Sequence, residues 1–235
     1  MKQLQTTGII LSRTDYGEAD RIVTVLTPDH GKLRLMARGV RKIKSRLAGG
    51  IELFSISEVS YIRGLGEIGT MVSSRLIKHF GRIVQDIDRV QLGYRLIKLL
   101  NTATEDQPEA DYFELLERAF LALDDAEVPL MLVELWFMAQ LLHLDGHTPN
   151  LLDDTDGHRL EIAGHYDFDF DSVSFHKTSD GHFDANQIKT LRLIFGGNSP
   201  IALSRVDGVV ESLADIRPVV KTLSDLYIRG SNTLG

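Results

Sequence analysis

The sequence predicts an α+β protein. A small five-stranded barrel should occupy residues 1–80, and a mainly helical domain residues 81–235, with an irregular hairpin insertion at about residues 145–183. Three observations carry this prediction. Apolar residues recur with a period of two before residue 80 and of 3.6 after it. Turn-forming Gly and Pro punctuate the first part at short intervals. The charge is also partitioned: 13 basic side chains stand against 7 acidic ones over residues 1–80, and 13 against 26 over the remainder. The formal net charge of -7 averages two unlike halves.

Thr6–Thr14 reads as the first strand. Arg21–Thr27 is rich in β-branched residues and ends at Pro28-Asp-His-Gly31, a turn with Pro set early and Gly at its close. Lys32–Arg38 follows as the hairpin partner, with Leu33, Leu35 and Ala37 on one face and Lys32, Arg34, Met36 and Arg38 on the other. Gly39 breaks this strand. Glu52–Ile62 and Gly69–Ile77 complete the set around a Gly64/Gly66 turn. Five short strands in about 80 residues suggest a closed or partly open barrel, and the oligonucleotide-binding (OB) fold is the common nucleic-acid version of that architecture.

After residue 80, Val84 to Leu100 carries a helical pattern, and Ala110–Leu123 places Phe113, Leu116, Phe120 and Leu123 on one face. Val128–Leu144, with Pro129 in its first turn, is apolar nearly all round. Met131, Leu132, Leu135, Trp136, Phe137, Met138, Leu141 and Leu142 mark it as the central helix of its domain. A partly exposed edge of it could accept a short hydrophobic peptide. Strand-like pieces are expected at His158–Ile162 and Ser172–His176. Ala185–Phe195 forms a helix capped by Asp184 and stopped by Gly196-Gly197. Ser212–Tyr227 is the last helix, broken or kinked at Pro218. The tail Arg229–Gly235 is expected to fray.

Seven of the fifteen residues from Lys32 to Arg46 are basic, and no Asp or Glu occurs between Asp29 and Glu52. A one-sign block repels itself, and a polyanion relieves the repulsion. Arg34 and Arg38 belong to the strand. Arg41, Lys42, Lys44 and Arg46 fall on a loop that Gly39 and Gly49-Gly50 bracket and leave free to follow a phosphate backbone. Single-strand binders add aromatic platforms. Tyr16 is the candidate for stacking or for capping a turn, whereas Phe54 alternates with core positions.

Asp15-Tyr-Gly-Glu-Ala-Asp-Arg-Ile-Val-Thr-Val-Leu-Thr-Pro-Asp-His-Gly-Lys-Leu33, then Ala37-Arg-Gly-Val-Arg-Lys-Ile-Lys-Ser-Arg-Leu47 and Leu53-Phe54, resembles the bacterial RecO recombination-mediator family in order, spacing and turn chemistry. The resemblance implies an N-terminal OB barrel, a helical C-terminal domain and activity without catalysis. Such proteins bind single- and double-stranded DNA and anneal complementary strands. They work with RecR and the single-strand-binding protein to load the RecA recombinase. Arg21, Arg38, Arg41, Lys42, Lys44 and Arg46 fall on the family's basic motif and are expected to contact DNA, with Arg34 and Tyr16 added from the strand and turn readings.

This sequence departs from the family in one respect. Many members hold zinc through paired cysteines, and this chain has none, so disulfides and thiolate sites are excluded. Six of the eight histidines lie between His143 and His182 among many aspartates. Their spacings match no closed zinc site, and a metal-free hairpin with no cofactor is expected. Gly64-x-Gly-x-x-Gly69 links two strands and lacks the strand-to-helix context of a dinucleotide site. There is no Walker loop, no Gly-x-Ser-x-Gly elbow and no Cys nucleophile, so no enzyme is expected. The first 25 residues lack a continuous apolar core and no window suits a spanning helix, which points to a soluble intracellular protein, and the resemblance implies a cytoplasmic, nucleoid-associated one. Rival readings are an RNA-binding module, a metal-dependent hydrolase built on the His/Asp segment, and a scaffold whose basic face binds an acidic protein.

Overall fold

In the computed structural model the described residues are 2–64, 66–104 and 110–229. The chain divides into two compact units, Met1–Ile97 with Thr104–Asp124 and Lys98–Ala103 with Asp125–Gly235.

The first unit contains β1 (Gln3–Tyr16), β2 (Asp20–Thr27), β3 (Gly31–Ala37), β4 (Ser55–Ile62) and β5 (Ile68–His79), paired in the closed order β1-β2-β3-β5-β4. The fourteen-residue β1 serves both β2 and β4. Its register shifts between Ile10 and Ser12. Such a bulge bends a long strand round a barrel. The closing joint, β3 with β5, is parallel and holds only three residue pairs. Ile10, Val23, Val25, Leu35, Ala37, Val59, Tyr61 and Met71 fill the interior, as the two-residue period requires. Ile9, Ile10 and Leu11 are buried in succession because both faces of β1 are covered, one by the barrel interior and the other by α2 (Ala110–Leu123).

The first unit exceeds the barrel because aromatic rings continue its core. Phe54 stacks edge-on to Phe120 at 5.4 Å, and Phe80 does so at 5.6 Å. Phe54 also meets Tyr94 of α1 (Ile87–Ala103) at 5.4 Å. The strand expected from Glu52 begins instead at Ser55, because Phe54 adopts a left-handed φ of 54°. That conformation turns its ring out of the strand's alternation and into the aromatic cluster. A Cβ on Gly93 would lie 2.5 Å from this ring, so the helix must present glycine there. The first helix starts at Ile87 rather than Val84, after a 3-10 turn over Ile83–Gln85.

The second unit is organised on α3 (Leu130–Leu144). Leu132, Val133, Leu135, Trp136, Phe137, Ala139, Leu141 and Leu142 are wholly buried on it, confirming a central helix. It packs with α4 (Ala185–Phe195), α5 (Pro200–Leu203) and α6 (Leu213–Ser224). The Asp184 carboxylate accepts from the Asn186 and Gln187 amides, closing a capping box at the start of α4. The short α5 was not legible in advance; Ser199 caps it and Pro200 sits in its first turn. Helix α6 runs through Pro218 without the expected break. Ala214, whose carbonyl loses its partner, is exposed and open to water. The expected strand at His158–Ile162 does not form. Asp154 there accepts from the Asp156 and His158 amides, making a local turn. The hairpin instead pairs β6 (Tyr166–Asp169) with β7 (Ser174–Lys177), held by edge-on contacts of Phe175 with Tyr166, Phe168 and Phe183. Beyond Arg229, the frayed tail expected at Arg229–Gly235 lies outside the described residues.

Candidate nucleic-acid interface

Register and turn geometry bring Arg21, Arg38, Arg41 and Tyr16 to one end of the barrel. Arg21 on β2 stands opposite Asp15 on β1 and pairs with Ala37 at the end of β3, one residue before Arg38. Gly39, at a φ of 63°, turns the chain out of β3, and its amide donates to the Asp20 carboxylate at 2.7 Å. The Arg41 amide donates to the Ala19 carbonyl at 3.0 Å, and its guanidinium reaches the Gly17 carbonyl at 3.4 Å. Tyr16, 56% exposed, ends β1 in the same neighbourhood. Arg34 does not join this group. It lies mid-strand on β3 and pairs with Glu67 at 3.6 Å.

The loop that carries Arg41, Lys42, Lys44 and Arg46 is tied down rather than free. Val40 and Ile51 are buried in the barrel core, Leu47 packs against it, and Ser74 donates to the Leu47 carbonyl at 2.9 Å. Backbone bonds Lys42 to Gly39 and Ser45 to Lys42 shape the span between. Anchors at Val40, Leu47 and Ile51 on either side of the cations give a fixed rim, which binds with less loss of entropy than a floppy loop. Sequence reading missed this because anchoring by Val40 and Ile51 is a tertiary property. It also passed over Ile43, which is fully exposed among the cations. An apolar residue interrupting a cationic run, with no periodic partner, was the available signal.

Electrostatics separate the cations into two states. Asp15 accepts from Arg21 at 2.7 Å and lies 3.6 Å from Arg41. The hydrogen bond from Arg21, reinforced by the charge of Arg41, holds the Asp15 carboxyl below its ordinary value of 3.8. A depressed carboxylate pKa means that the clamp is complete above the ordinary carboxylate range and is lost only as pH falls below it. Arg38, Lys42, Lys44 and Arg46 are exposed and make no ion pair among the described residues. Asp15 therefore competes with any phosphate for two arginines. Asp15→Asn is expected to tighten single-stranded DNA binding about three- to tenfold at low salt and to steepen the salt slope by about 0.7. Fluorescence anisotropy at two salt concentrations measures both, and weaker binding would show that Asp15 positions the arginines.

In the His/Asp segment the side chains form local pairs. His182 contacts Asp167 at 2.7 Å, His143 contacts Thr148 at 2.9 Å, and His147 stacks on Tyr227. The His182 amide and ring hold the Asp167 carboxyl below its ordinary range. Among the described residues only Asp154, Asp156 and His158 bring ligand atoms within 4.8 Å of one another. Two carboxylates and one imidazole, with Asp154 already bonded to backbone amides, do not fit the four-ligand closed site of a structural zinc. No helix among the described residues is long and apolar enough to cross a membrane.

Strand order, a parallel β3–β5 joint and a cationic rim at the β1–β2 end define an OB-type barrel protein with a helical partner domain. A family model described as "Recombination protein O N terminal" matches residues 1–80. The DNA repair protein RecO of Listeria innocua is 33% identical over 196 residues, covering 80% of this chain and 75% of that protein. RecO of Dehalococcoides mccartyi is 33% identical over 160 residues, covering 68% and 62%. RecO of Halalkalibacterium halodurans is 32% identical over 145 residues, covering 61% and 56%. The chain belongs to the RecO family of DNA repair proteins.

Proposed function

We propose that this protein is a non-catalytic recombination mediator: it binds single- and double-stranded DNA, anneals complementary strands, and helps load a recombinase together with RecR and the single-strand-binding protein. The observation that carries the reading is the anchored loop with Arg38, Lys42, Lys44 and Arg46 exposed and unpaired among the described residues. Folding leaves their repulsion unrelieved, and phosphates relieve it. Arg21, Arg41 and Tyr16 extend the same rim, and Arg34 contributes from β3. Annealing follows from shielding: cations that neutralise phosphates on two strands lower the repulsion between them, so that complementary bases can meet. Ile43, standing among the cations, can wedge against a base step and help keep strands unstacked until they pair. The helical unit is assigned the protein contacts, and the setting is the cytoplasm beside the nucleoid.

Single-stranded DNA affinity is expected to fall steeply between about 50 and 200 mM salt, with little sequence preference. A flat salt response sinks the reading. Matched RNA in competition tests the RNA-binding rival. The hairpin is proposed to stand without metal or cofactor, supported by the aromatic packing of Phe175. Chelator treatment should then leave both annealing and the unfolding temperature unchanged.

A further inference from the structure

The root of the cationic loop is held by a carboxylate that makes no ion pair among the described residues. Asp20 opens β2, and its Oδ1 accepts from the Gly39 amide at 2.7 Å, nineteen residues further along the chain. Arg21 and Arg41 are drawn to Asp15 instead. A hydrogen bond from an amide to an ionised carboxylate is charge-assisted, and it is stronger than one to a neutral acceptor. Two further bonds tie the same root. The Arg41 amide donates to the Ala19 carbonyl, and its guanidinium reaches the Gly17 carbonyl. The turn that joins β1 to β2 therefore clasps the chain on both sides of Val40, which is itself buried in the barrel core.

This clasp bears on the direction in which the cations leave the barrel. Gly39 has a left-handed φ of 63°, and its carbonyl accepts from the Lys42 amide at 3.1 Å, closing a turn over Gly39 to Lys42. A Cβ on Gly39 would lie 3.7 Å from the Lys42 Cδ, so the stem of Lys42 runs over that glycine. The Ser45 amide then donates to the Lys42 carbonyl at 2.9 Å. Each step of the loop is referred to the one before it, and the first step is the residue that Asp20 holds.

We propose that Asp20 is a positioning residue for DNA binding: it touches no phosphate, and by fixing Gly39 it aims Arg41 and Lys42 at the phosphate backbone. This rests on the DNA-binding reading above. It gives the two carboxylates at this end of the barrel opposite roles. Asp15 occupies two arginines and subtracts from binding, whereas Asp20 commits its charge to a backbone amide and adds to it.

Charge alone makes Asp20 a competitor of phosphate, so the test separates charge from geometry. D20N and D20A remove the same charge, but the Asn carbonyl still accepts from the Gly39 amide and Ala does not. The full chain is titrated with a single-stranded DNA of about 20 nucleotides by fluorescence anisotropy across a salt series. D20N is expected to bind at least as tightly as the wild type. D20A is expected to bind about tenfold more weakly than D20N at about 50 mM salt and to lose about 0.7 of the salt slope, the equivalent of one phosphate contact. A merely structural role would reduce the folded fraction, read from urea melts, and leave the slope of the remainder unchanged. Equal binding by D20N and D20A overturns the proposal, as does weaker binding by D20A with the wild-type slope. Should D20A not fold, D20E is compared with the wild type, since it keeps the charge and displaces the acceptor by one methylene. Weaker binding with a reduced slope then sustains the role, and equal binding overturns it. No binding by the wild type defeats the DNA-binding reading and the proposal with it, whereas wild-type binding without a split between D20N and D20A defeats the role of Asp20 alone.

Discussion

Replacing Arg41, Lys42 and Lys44 together by Ala is expected to weaken single-stranded DNA binding on the order of 10²-fold at low salt and to flatten the salt slope by about 2. Each phosphate contact to a single strand releases roughly 0.7 of a counterion, so three lost contacts remove about that much of the slope. The loss should be uniform across sequences, since no base-reading element lies on the loop and phosphate contacts carry no sequence information. Folding should be little affected. The three side chains are exposed, and the loop is held by Val40, Ile51 and Leu47, which the variant leaves in place. The measurement is an anisotropy series in salt alongside a urea melt. A variant that unfolds at the wild-type midpoint yet binds with unchanged slope would place the DNA elsewhere.

Substitutions at Phe54 should produce the largest change in stability, and in an unusual order. Phe54→Ala removes a fully buried ring that meets both Tyr94 and Phe120, a loss of about 3–5 kcal/mol. Alanine also keeps the strain of a left-handed backbone, which at a φ of 54° amounts to roughly 1–2 kcal/mol. Glycine adopts that conformation freely. Phe54→Gly is therefore expected to be more stable than Phe54→Ala by about 1 kcal/mol, the reverse of the usual ranking inside regular structure. Urea unfolding of the two variants measures the difference. Alanine proving the more stable would show that the backbone relaxes out of the left-handed region once the ring is gone.

Charge and periodicity already marked the end of the barrel that is proposed to meet DNA. The run from Lys32 to Arg46 stands out in composition alone, and the alternation of Leu33, Leu35 and Ala37 against the cations is a local property that the barrel preserves. Elements whose character depends on neighbours far along the chain were less legible. The strand expected at His158–Ile162 gave way to one at Tyr166–Asp169, because burial of Tyr166 against Phe175 outweighs local strand preference. Pro218 sits inside a continuous helix because Ile216, Val219 and Val220 bury its apolar face while the orphaned carbonyl faces water.

What the sequence by itself determined is a basic barrel followed by acidic helices, since alternation, helical period and charge blocks are read residue by residue. Only the tertiary structure decided that Val40 and Ile51 tether the cationic loop, that Asp15 holds two of its neighbouring arginines, and that Arg34 and Arg63 line one cavity with Tyr61. Each of these joins residues distant in the chain. Closure of the sheet brings them together, and no local pattern encodes it.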